Sequence, residues 1–319
     1  MNKHANYSNK FRISGIFCVA CLSLLPLFVL SLIIVSLDFR DNANYIRAFN
    51  SININAKFTT NYTTYAYFTG AIEPLLFLYY YLTKTFTDSY ILATAIKNFC
   101  FVLQVSYIIN NVFKNNNNLY LFLIYLSTDF YILRMMAELH RLHFSIIFII
   151  PVLFLNKKFF FWSIFSLLGH AQACIYFLFF KFRLKSVFPL FSIFVILLAS
   201  QYEYILSKFS YYQTLSVRGA LKVTSYSIFF MAIVERWSIS NFIKFGLSYL
   251  IIAIISLFIG EERLFFIVVE SSIIFGFYHI IYIGMTLRQG MLFSAFVLMI
   301  SLYNLSRIFQ FTQEALYSS

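Results

Sequence analysis

The chain has 319 residues, of which 61% are hydrophobic, 21% aromatic and only 11% charged. A water-soluble domain carries about 25% charged residues to cover its surface, so this composition excludes an ordinary soluble globular fold. The net charge of +12 would point to nucleic acid in a soluble protein, but the basic residues fall in short clusters between apolar runs, where membrane topology accounts for them, and no nucleic-acid partner is expected.

Residues 14–37 hold no Asp, Glu, Lys or Arg. At 1.5 Å per residue such a helix crosses a hydrocarbon core about 30 Å thick. It is too long for the apolar region of a signal peptide. It reads as a retained first span, running outward from a tail that carries Lys3, Lys10 and Arg12. A transmembrane barrel is excluded, because barrel strands alternate apolar and polar residues and these runs are apolar on every side.

Residues 38–89 form the largest polar segment, expected on the outer face with short interfacial helices. Within it Asp41 precedes Tyr45 and Phe49, which stand four apart as on one helix face. Glu73-Pro74 opens a second helix, with Pro74 suited to its first turn. Spans follow at about 90–113, 119–137 and 142–155, the first of them carrying a single charge, Lys97. The polar turn 114–118 between them is placed inside.

Residues 159–180 are bounded by Lys157-Lys158 and by Lys181, Arg183 and Lys185. With both clusters inside, this stretch is a re-entrant hairpin with His170 at its tip. As one plain span it would flip every later side. Further spans are expected at about 186–206, 225–234, 245–260, 264–285 and 290–305, with a second outer loop at 207–224. The expected fold is all-α: one polytopic membrane domain over 1–319, a bundle of about ten transmembrane helices with a range of 8–12.

Under this topology only half of the 24 Lys and Arg lie inside. Short cytoplasmic loops normally hold an excess. Either the later spans are assigned to the wrong sides, or the outer face carries extra cations because it binds an anion.

Ionisable groups in or at the edge of spans are costly in hydrocarbon and are candidate functional residues. Arg134, Glu138, His140, Arg141 and His143 cluster around the turn between the third and fourth spans. Arg134 and Glu138, at i and i+4, suit an interfacial anchor pair. The alternative is a guanidinium fork aimed at phosphate oxygens. His170 suits either a hydrogen bond within the bundle or general-base chemistry. Asp41 and Glu73 are either solvated loop acids or groups that bind a sugar hydroxyl or accept its proton. Tyr45, Tyr62, Tyr65 and Tyr67 suit sugar stacking as well as an interfacial aromatic belt. Arg218 and Arg263 are further outer-side cations.

Cys18, Cys21, Cys100 and Cys174 all lie in apolar runs and read as small packing residues. Asn61-Tyr62-Thr63 matches a glycosylation sequon by chance. Nucleotide-binding P-loop, zinc-protease and hydrolase-elbow motifs are all lacking, so neither a cofactor nor a metal is expected.

With these residues in place, the chain resembles the EpsG-like branch of bacterial Wzy-type polysaccharide polymerases. The family's Asp followed by Tyr on the first outer loop is matched by Asp41 and Tyr45, and its Glu opening the next short helix by Glu73-Pro74. Its Arg-Gln-x-x-Ala at the outer start of a span is matched by Arg141-Leu-His-Phe-Ser145, with Leu142 in place of the Gln and Lys157-Lys158 at the right distance. Arg134 offers a second placement for that Arg. A His after the next basic turn is matched by His170.

The resemblance implies a GT-C-like integral membrane glycosyltransferase in the inner membrane of a bacterium. Such an enzyme transfers a growing glycan from its undecaprenyl pyrophosphate carrier to a sugar hydroxyl of another lipid-linked repeat unit. It works on the outer face, without metal or nucleotide. Glu73 and His170 would then be catalytic. Asp41, Tyr45, Arg134, Arg141, Arg218 and Arg263 would bind substrate. Expected partners are the lipid-linked oligosaccharide, the bilayer, and a chain-length regulator and flippase of the same pathway. A lipid-linked oligosaccharide flippase, another GT-C transferase and an O-antigen ligase are the competing readings.

Overall fold

The computed structural model describes residues 15–37, 39–70, 74–113, 118–155 and 286–318, with isolated residues at 165, 166, 168, 221, 224, 225, 273 and 277. Apart from those isolated residues, the second outer loop, the hairpin with its Lys157-Lys158 border, and the spans expected between 186 and 285 lie outside the described residues. Among the described residues all regular structure is helical: α1 (Gly15–Val35), α2 (Asp41–Ser51), α3 (Phe58–Thr69), α4 (Pro74–Lys84), α5 (Tyr90–Val112), α6 (Leu119–Ser127), α7 (Phe130–Ala137), α8 (His140–Leu155) and α9 (Leu287–Ser318).

Three of these helices, α1, α5 and α9, are long and apolar enough to cross a membrane, and α6 with α7 makes a fourth if the bent pair is one span. α1 buries Ala20, Leu24, Leu27 and Ile34 yet turns Leu22, Leu25, Val29 and Ile33 outward. A helix apolar on all sides belongs in a protein interior or in lipid. Lipid supplies the solvent for the outward rows, which α5 repeats with Leu92, Ile96, Phe99 and Leu103. Cys18 and Cys100 are also exposed and form no disulfide, so they face outward and do not pack the core.

The expected third span is not one straight helix. α6 and α7 meet at a bend of 48°. The cause is local: the Asp129 carboxylate accepts from the backbone N–H of Tyr131 at 2.8 Å and of Ile132 at 3.2 Å, capping a new helix. α9 is longer than the expected 290–305. Its 32 residues extend about 48 Å, more than a hydrocarbon core is thick. The surplus projects beside the end of α1, where Phe311 meets Phe39 at 5.6 Å and Arg40 Nη2 donates to Glu314 Oε2 at 2.6 Å. α9 therefore runs parallel to α1.

The segment expected as an outer loop with short interfacial helices folds into a cap of three helices. α2, α3 and α4 close over the start of α5 around their own core of Tyr45, Phe49, Tyr65, Leu76, Phe77, Tyr80 and Tyr90. The rings interlock edge to face, Phe49 on Tyr80 at 5.6 Å and Tyr62 on Phe77 at 5.3 Å, geometry that adds to simple burial. Pro74 opens α4 as its type predicts, and Gly70, at φ +57°, ends α3 in the left-handed conformation that glycine adopts without a Cβ penalty. Tyr45 and Phe49 do share one buried face of α2.

Asn61 is the clamp of this cap. Its Oδ1 accepts from Asn53 N at 2.9 Å and its Nδ2 donates to Asn53 O at 2.7 Å. Asn61→Ala should cost about 1 kcal/mol by removing both hydrogen bonds to the Asn53 backbone. Limited proteolysis should then cut the α2–α3 loop faster while α1 and α5 stay intact. Unchanged cleavage would disprove the clamp.

Candidate functional site

The α1–α2 corner and the α7–α8 corner pack against one another, and most of the described ionisable residues singled out in the sequence lie there. Two hydrogen-bonded groups result. The first centres on Glu138, whose side chain is 1% exposed. Arg134 Nε donates to Glu138 Oε2 at 2.8 Å, and Arg40 Nη1 lies 3.8 Å from Oε1. Burial pushes the Glu138 carboxyl above its usual range, while the Arg134 and Arg40 guanidiniums pull it back and the nearby Asp41 carboxylate adds to the rise.

Arg40 reaches this position from a backbone at φ +50°, a conformation that a non-glycine residue rarely adopts. Its guanidinium also lies over the rings of Phe39, at 4.8 Å, and Phe311, at 5.7 Å. Arg40 thus joins the α1–α2 corner, the α7–α8 corner and the end of α9.

The second group is deeper. Asn42, Tyr90, Lys97 and His140 are all buried. Lys97 Nζ is hydrogen-bonded to His140 Nδ1. His140 Nε2 lies 3.0 Å from Tyr90 Oη and 3.3 Å from Asn42 Oδ1. Tyr90 Oη donates to Asn42 Oδ1 at 2.8 Å, and Asn42 Nδ2 donates to Val35 O at 2.8 Å, satisfying a carbonyl at the end of α1. The Tyr45 ring packs edge-on against His140 at 5.0 Å. Its hydroxyl accepts from Arg141 Nε at 3.0 Å. His143, one turn along α8, is buried against Phe101 with ring centroids 4.6 Å apart.

Of the sequence-derived candidates, Tyr45 and Arg141 are therefore in direct contact across 96 residues of chain. Asp41 is exposed at the first residue of α2. Arg134 holds Glu138 as an i, i+4 ion pair, the simpler of its two expected arrangements. Glu73, His170, Arg218 and Arg263 lie outside the described residues. Sequence reasoning passed over Lys97, Asn42, Tyr90 and Arg40. Lys97 carried a usable signal, a lone charge within an apolar span. Asn42 and Tyr90 carried none, since their types are ordinary in a polar loop and at a helix start.

The site offers a guanidinium whose plane is set by a tyrosine, beside buried imidazole and amine groups, at the end of the bundle where the cap sits. A planar five-donor fork suits phosphate oxygens better than a solvated ammonium does. No family model, curated protein or solved structure matches the chain.

Proposed function

We propose that the chain is a glycan polymerase of the membrane. It transfers a growing glycan from undecaprenyl pyrophosphate to a sugar hydroxyl of another lipid-linked repeat unit, on the outer face of a bacterial inner membrane. One observation carries the reading: the Arg141 Nε to Tyr45 Oη hydrogen bond of 3.0 Å. It joins two residues that the family resemblance names independently, on helices far apart in sequence.

In this reading Tyr45 holds one edge of the Arg141 guanidinium and the fork meets the pyrophosphate. The bond from sugar C1 to the pyrophosphate oxygen breaks, and the diphosphate leaves with the electron pair. The acceptor hydroxyl forms the new bond to C1 and gives up its proton to Glu73 or His170. Because the leaving group is already activated, the protein's work is positioning and charge stabilisation. Asp41, exposed at the start of α2, is suited to hold a sugar hydroxyl. Arg134 supports the corner through Glu138, and Arg218 and Arg263 are proposed as further contacts to the diphosphate.

A strain lacking the gene should carry surface glycan of single repeat units, and the full chain supplied in trans should restore the ladder on a glycan gel. A normal ladder in the deletion strain rules the polymerase out. The flippase reading draws on the polar groups inside the bundle, Thr94, Lys97 and Asn98, on one face of α5. It predicts single-unit glycolipid trapped in the inner leaflet. Full-length chains accumulating on the carrier would instead indicate a ligase.

A further inference from the structure

Lys97 is the described residue least at home in its surroundings. It lies seven residues into α5, about 10 Å along the axis, and is 2% exposed. An amine buried in a span is expensive, and a methionine of similar length would occupy the space without that penalty. Helical side chains lean toward the helix N-terminus, so the Lys97 chain rises toward the cap and its Nζ meets His140, the first residue of α8.

The donors and acceptors above it then close in one direction. As an ammonium Lys97 can only donate, which requires Nδ1 of His140 to accept and puts the ring proton on Nε2. Nε2–H donates to Tyr90 Oη at 3.0 Å, the one Tyr90 proton goes to Asn42 Oδ1 at 2.8 Å, and the Asn42 amide goes to Val35 O at 2.8 Å. The ring so oriented meets the edge of Tyr45 at 5.0 Å, and Tyr45 holds Arg141. With Nδ1 protonated instead, two donors would face each other at Lys97, and the Tyr90 and Asn42 links would lose their direction.

We propose that Lys97 is a positioning residue: it selects the Nε2–H tautomer of His140 and thereby orders α2 and the Tyr45–Arg141 pair. The ordering stands on the hydrogen-bond chain. Its importance for glycan transfer rests on the polymerase reading.

The test uses the full chain in lipid nanodiscs with 15N-labelled histidine. The five histidines leave few signals, and His140→Gln assigns the one in question. The wild type should show His140 protonated on Nε2; a proton on Nδ1 overturns the proposal without any variant. Lys97→Met should introduce the other tautomer and speed amide exchange over residues 41–51 by about tenfold or more, with α1 and α5 still protected. Exchange at the wild-type rate overturns the proposal. Lys97→Arg keeps a donor and should restore slow exchange, whereas exchange in Lys97→Arg as fast as in Lys97→Met, or loss of protection throughout the molecule in both, overturns it.

In cells that need the gene for their ladder, Lys97→Met should shorten or abolish it. A complete ladder there overturns the link to transfer. A ladder that persists without the gene removes the polymerase reading instead, and leaves the ordering to be judged by tautomer and exchange.

Discussion

Arg141→Ala should abolish the glycan ladder, with transfer reduced about 100-fold or more, the usual loss when one donor to developing negative charge is removed. Protein level in the membrane should be unchanged, because Arg141 is only half-buried at the first turn of α8. Arg141→Lys keeps the charge but loses the fork and the Nε bond to Tyr45, so most of the defect should persist. Tyr45→Phe keeps the ring that packs on His140 and deletes only the acceptor. Its expected loss is about tenfold, the worth of one hydrogen bond to a charged group. A Tyr45→Phe chain as inactive as Arg141→Ala would mean that the hydroxyl touches substrate itself. Full activity in Arg141→Ala would remove the guanidinium from the mechanism.

Glu138→Ala should lower stability in detergent by about 3 kcal/mol, read as a fall in melting temperature. The loss comes from removing the buried carboxylate that binds Arg134 at 2.8 Å and lies 3.8 Å from Arg40. The exposed Arg40–Glu314 pair adds little by comparison. Burial already pushes the Glu138 carboxyl upward despite two nearby guanidiniums, so the intact pair is far from free of desolvation cost. The double variant Arg134→Met, Glu138→Met should therefore recover most of the lost stability, since a well-packed apolar pair commonly equals a buried ion pair. If the double variant melts as low as Glu138→Ala, the pair does more for the fold than desolvation arithmetic allows.

Where the amino-acid order alone was informative, the reason was one-dimensional. A charge-free run of 24 residues is a span whatever it packs against, and α1 covers nearly all of it. The start of α4 at Pro74 and the extent of α5 follow from local chemistry of the same kind. The Arg134–Glu138 pair follows from helical spacing. The bend at Asp129 was also written locally, as Ser127-Thr128-Asp129 inside an apolar run, but hydropathy averages over such a cap.

The cap was legible only in part. Helical spacing at Tyr45 and Phe49 and the start at Pro74 marked two of its short helices, but α3 read as a polar, Tyr-rich string, and only the meeting of three helices turned Tyr45, Phe49, Tyr65 and Tyr80 into a core. The same holds at the site. A single charge in a span marked Lys97, but its partner stands 43 residues away, and hydrogen bonding between them depends on how α5 and α8 pack.

Chain order by itself determined that the described residues are helical, with spans of membrane length, because hydrocarbon demands long apolar helices with their backbone bonds closed internally. Tertiary structure alone decided which polar residues share the space at the cap. The Lys97–His140–Tyr90–Asn42 chain and the Tyr45–Arg141 contact join residues from three separate helices, α2, α5 and α8. Hydrogen bonds act over about 3 Å, a distance that packing sets and that sequence separation does not encode.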